Sequence, residues 1–169
     1  AAAGAAAAAP VADGSPAATF LRRWNVIGPF VRGKTEHDGD PLEFHGGIAS
    51  LVPKPGARFL SELATGGYVG WRSVKAQLDG SVRVPLDGVD FNFLVSSLSD
   101  INVQNVQSWA VGSLKIAADA VYLIDCGQVH TLEIAGRLLR GNIYRRSDGA
   151  VPLRLTKGKH VVRIKVTGR

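Results

Sequence analysis

The segment "HVVRIKVTG" near the C-terminus alternates cleanly, with Val162, Ile164 and Val166 on one side and Val161, Arg163, Lys165 and Thr167 on the other. A period of two is the pattern of a strand with one buried face. "LTKGKH" before it supplies a turn at Gly158. "VHTLEIAGRLLRG" reads as two strands joined at Ala135-Gly136, a short-hairpin signal. "AVYLIDC" is β-rich on both faces, and "QSWAVGSLKI" is a strand with Trp109, Val111 and Leu114 available for the core. Earlier, "YVGWRSVKAQL" offers Trp71, Val74, Ala76 and Leu78, and "GSVRVPL" adds a short strand that Pro85 ends or moves to an edge. In "TFLRRWNVIGPF", Phe20, Trp24, Val26 and Ile27 suit a first strand that Gly28 and Pro29 close.

One segment breaks the period. In "VDFNFLVSSLSD", Phe91, Leu94, Val95 and Leu98 have helical spacing, which allows one short helical segment. Many short strands punctuated by 20 glycines and 8 prolines predict an all-β fold, an antiparallel β-sandwich. The opening "AAAGAAAAAPVADGSPAA" lacks the basic start of a signal peptide. Its Gly, Pro and Ser interrupt the helical preference of alanine. The expected organisation is a flexible arm over residues 1–19, a linker or the remnant of a processed leader, followed by a single β-sandwich domain over residues 20–169.

Composition changes this picture little. A chain of 169 residues, 46% hydrophobic and 20% charged, has the makeup of one globular domain. No apolar run approaches the roughly 20 residues of a membrane-spanning helix. The lone Cys126 excludes an internal disulfide framework, and its apolar strand setting suits a buried, inert thiol. Charge is more informative. Residues 137–169 hold ten Lys and Arg against one acid, Asp148, a local charge of +9 within an overall +6. Arg154, Lys157, Lys159, Arg163 and Lys165 are expected on the exposed face and turns of one sheet. A solvated face with guarded edges explains such a tract, and a docking surface built on Arg145, Arg146, Arg163 and Lys165 is the functional alternative. Only Tyr144 is interleaved in "RGNIYRR", which argues against nucleic acid, whose single strands stack on several aromatics.

The familiar catalytic patterns are missing. There is no Gly-x-Ser-x-Gly elbow, no His-Glu-x-x-His, no P-loop and no Gly-x-Gly-x-x-Gly. "GKTEHDGDPLEFHGG" gathers Glu36, Asp38, Asp40 and Glu43, with His37 and His45, between glycines. Hard oxygen donors of this kind bind calcium, but the spacing is not that of an EF-hand loop. A solvated acidic loop with a turn at Asp38-Gly39-Asp40-Pro41 is the simpler reading, and a calcium ion its main rival. No other cofactor is implied. Among the aromatics, Trp24 and Trp109 belong in the core. Trp71, between Gly70 and Arg72, and Tyr68 are the candidates for an exposed platform that would bind carbohydrate.

Taken together, "WNVIGPF", "GKTEHDGDPLE" and "GGI" resemble the β-sandwich region that precedes the α/β-hydrolase domain in some large peptidases of the prolyl-oligopeptidase type. "WAVG", "CGQVHTLEIAGRLLRGNIYRR" and "VPLRLTKGKHVVRIKV" are similar as well, and the last has the shape of a galactose-binding-like jelly roll. The resemblance covers residues 20–169. It implies a non-catalytic accessory domain, not itself an enzyme, that packs against a protein partner or a covalently linked catalytic domain, with a secretory or extracellular setting. Such families carry their Ser-Asp-His triad in the hydrolase domain, so no catalytic residue carries over. The end at Gly168-Arg169, directly after a strand, suits a module of a longer polypeptide.

Overall fold

A computed structural model describes residues 2–4, 6–10, 19–32, 46–78, 81–83, 105–125, 129–140 and 150–168. The strands are β1 (Ala2–Gly4), β2 (Ala6–Pro10), β3 (Thr19–Phe20), β4 (Arg23–Arg32), β5 (Arg58–Leu60), β6 (Tyr68–Gly70) and β7 (Arg72–Lys75). They continue with β8 (Ser81–Arg83), β9 (Asn105–Ile116), β10 (Ala120–Asp125), β11 (Thr131–Ile134), β12 (Arg137–Arg140), β13 (Ala150–Leu155) and β14 (Gly158–Gly168). Apart from one 3-10 turn at Ile48–Ser50, every described element is a strand. The fold is all-β and antiparallel, as the alternation predicts. The segment with helical spacing, 89–100, lies outside the described residues.

Two sheets form the body: six strands in the order β12-β11-β14-β9-β4-β7, and four in the order β13-β10-β2-β3. The main core lies between them. Trp24, Val26, Ala110, Leu114, Leu132, Ile134, Val162, Ile164 and Val166 point inward from the large sheet, and Tyr122, Ile124, Leu153 and Leu155 from the small one. The alternation read in β14 is therefore correct, with Val162, Ile164 and Val166 all buried. Each such side chain contributes about 1.5–3 kcal/mol on burial.

The chain changes sheets twice at one corner, from β9 to β10 and from β13 to β14. One hydrogen bond joins the two crossings, and two more brace them from within, one in each. The Lys157 N–H donates to Asp119 Oδ1 at 2.6 Å, and the Tyr122 hydroxyl donates to the Ala118 carbonyl at 2.8 Å. His160 Nε2 lies 2.7 Å from the Thr156 carbonyl, the geometry of a ring N–H donating back across the turn. Gly158 turns here at φ +139°, a conformation open to glycine. The "LTKGKH" segment is thus a stitched corner.

Three expectations change. The Ala-rich start, expected as a flexible arm, supplies β1 and β2, which pair with β8 and β10. Strand β10 would otherwise leave an open edge there, and pairing overrides local preference. Gly28-Pro29 does not end the first strand, which runs on to Arg32. The ladder to β9 shifts register between Ile27 and Phe30, a bulge that tolerates proline. Gly28 is required there, because it sits at φ +125° and a Cβ would lie 2.5 Å from Ser108 Oγ. Finally, Leu78 is 89% exposed and takes no part in the core.

Candidate functional site

The outer face of the six-stranded sheet carries the residues of interest. Trp24, Gly112 and Val162 face the main core, so their neighbours in each strand face outward. Across β7, β4, β9, β14 and β11 this outer face shows Ser73, Asn25, Val111, Arg163 and Glu133 in one row. The next row toward the strand ends holds Ile27, Trp109, Lys165 and Thr131.

Half of this face is covered. The segment 46–71, with the β5–β6 hairpin, folds over it and forms a second apolar cluster. Ile27, Phe30, Leu51, Trp109 and Val111 are its buried members, and Ile48, Phe59, Val69 and Trp71 pack around them. Phe30 meets Trp109 edge-on, with ring centres 5.0 Å apart. Ser61 Oγ donates to the Pro29 carbonyl at 2.6 Å, fixing the cover to the bulged strand. Trp109 and Val111 are thus core residues, as expected, but of this second cluster, on the opposite side of β9 from Leu114. From Gln107 to Gly112, central strand β9 is buried on both faces.

Arg163 was expected as a docking residue. The alternation places it correctly on the outer face, but its guanidinium is engaged within the chain. Nε donates to the Leu51 carbonyl at 2.9 Å, and Nη1 donates to Glu133 Oε2. Glu133 Oε1 in turn accepts from the Gly136 N–H at 3.0 Å. One carboxylate therefore ties the β11–β12 turn to Arg163, and Arg163 ties both to the cover. Lys165 is half-buried, its ammonium 6.0 Å from the Trp109 ring centre. The basic tract is also divided: Arg154 lies on the small sheet, Lys157 at the corner and Lys159 on the large sheet. The expectation that all face one way is corrected. The crossing from β13 to β14, invisible in the alternation, separates them.

Trp71 is half-buried against the second cluster, and its Nε1 is inaccessible to solvent. Tyr68 is 47% exposed, with the Arg58 guanidinium stacked 4.6 Å from its ring centre. The two aromatics do not form one shared platform. Glu36, Asp38, Asp40 and Glu43, His37 and His45, Cys126, Arg145 and Arg146 lie outside the described residues. Among the described residues, no group of three or more His, Cys, Asp or Glu side chains is placed to hold a metal ion. None of the described helices is long and apolar enough to cross a membrane.

The uncovered half of the face is a groove of about 390 Å3. Its walls include Arg23, Asn25, Val52, Ser113, Lys159 and Val161. Sequence inspection missed Arg23 and placed Lys159 only in the basic tract, because the two come from distant strands, β4 and β14, and only the register brings them together.

A search of characterised families found no match, and none of the solved structures matches the chain. The chain is similar to an uncharacterized secreted protein of Arthroderma benhamiae, 26% identical over 157 residues. That alignment takes in 87% of this chain and 17% of the relative, so the chain spans about a sixth of the relative's length.

Proposed function

We propose that the chain is a non-catalytic accessory module that acts by packing beside, and positioning, a hydrolase domain of a larger polypeptide or assembly. One observation carries this reading: the matching region of the relative is a small part of a much longer chain. The sequence resemblance to the region before a peptidase α/β-hydrolase domain supplies the hydrolase part of the reading. The outer sheet face offers a half-covered, half-open surface of the kind that docks on a neighbour. The relative's description as secreted supports a secretory or extracellular setting.

The test is turnover measured on two preparations: the native polypeptide that carries this segment, and the 169-residue chain alone. The accessory reading expects hydrolase activity in the first and none in the second. Turnover by the isolated chain, abolished by Asp38→Asn, would overturn it.

A further inference from the structure

We infer that the open end of the outer face is a docking site for an acidic, extended stretch of polypeptide. Two pairs of cations face each other directly across the ladders of this end: Arg23 opposite Lys75, and Lys115 opposite Lys159. Like charges directly opposite in a sheet are unfavourable. No carboxylate among the described residues pairs with any of the four; Glu133 is committed to Arg163, and Asp119 to the Lys157 N–H. Among the described residues this repulsion has no compensating carboxylate, and a bound anion would relieve it.

The groove between the two pairs sets the rest of the chemistry. Val52 is 56% exposed and Val161 40% exposed, and Pro53 stands beside them. These aliphatic walls suit apolar side chains that alternate with acidic ones along an extended peptide. Among the described residues no aromatic ring lines the groove, so they offer no flat face on which sugar rings or bases stack. Asn25 accepts from Ser73 Oγ at 2.8 Å through Oδ1, which leaves its amide N–H groups to donate to a peptide carbonyl. This inference rests on the accessory reading and names the chemistry of the surface that the module grips.

The experiment is fluorescence anisotropy of a labelled peptide of alternating glutamate and valine, titrated with the 169-residue chain. Binding is expected, weakened when sodium chloride rises from about 50 to about 300 mM. The double variant Lys115→Gln/Lys159→Gln should lose about tenfold in affinity. Its melting temperature should not fall, because a repulsive pair is removed. The variant Arg137→Gln/Arg140→Gln changes net charge equally on the opposite edge strand β12, and should bind as the parent does. Equal loss in both variants, absence of peptide binding, or tighter binding of polygalacturonate than of the peptide would each overturn the assignment. If the chain associates with the rest of its native polypeptide and Lys115→Gln/Lys159→Gln leaves that association unchanged, the groove assignment fails while the accessory reading stands.

Discussion

Trp24 lies directly across the ladder from Gly112, and its ring fills the place where a side chain at position 112 would stand. A Cβ there would come within 2.9 Å of the indole. The indole N–H donates to the Leu21 carbonyl at 3.1 Å, so the ring is held in place and cannot give way freely. Gly112→Ala is therefore expected to destabilise the fold by about 1–3 kcal/mol through overpacking. Chemical denaturation checks this as a lower midpoint without a change in slope.

Arg163 and Glu133 connect three separate pieces of backbone through two side chains. Arg163→Ala leaves a largely buried carboxylate without its cation and removes the bond to the Leu51 carbonyl. A loss of about 1–3 kcal/mol is expected. Arg163→Lys should recover only part of it, since a point charge cannot serve both acceptors. A double-mutant cycle with Glu133→Gln, read by thermal unfolding, separates the pair from the Leu51 contact.

The β11–β12 hairpin turns on Ala135 at φ 52° and Gly136 at φ +73°. Two successive positive φ values are the mark of a type I′ turn, in which asparagine normally precedes glycine. Alanine is poorly suited to this conformation. Ala135→Asn should stabilise the chain by about 0.5–1 kcal/mol, seen as a raised melting temperature.

Gln107 is 1% exposed on the outer face of β9, and neither Oε1 nor Nε2 has a hydrogen-bond partner among the described residues. A buried amide without partners costs more than it returns. Gln107→Met keeps the volume and removes the polar atoms. It is expected to raise stability by about 1 kcal/mol, and a lower denaturation midpoint would show that the amide is engaged.

Alternation made the strands legible. In β14 it separated Val162, Ile164 and Val166 from Arg163 and Lys165, and the Ala135-Gly136 turn was visible from composition. What sequence reading missed depends on pairing between distant segments. Strand β2 exists because β10 offers an edge, which alanine composition does not reveal. The bulge at Gly28-Pro29 needs Ser108 from another strand to explain its glycine. The same limit applies to the site. Arg163 looked like a surface cation because its strand neighbours alternate, and only the fold brings Leu51 and Glu133 to it. Arg23, Lys75 and Lys115 carried no local signal, Lys159 was legible only as part of the basic tract, and the four meet only through the register of four strands.

The most direct test of the account is zero-length carbodiimide cross-linking of the native polypeptide that carries this segment, read by peptide mass spectrometry. The reagent joins lysine amines to carboxylates in contact with them. The account predicts links from Lys115, Lys159 or Lys75 to Asp or Glu residues outside the segment, lost at raised salt. A native protein in which these lysines link only within the segment, or to nothing, would contradict it.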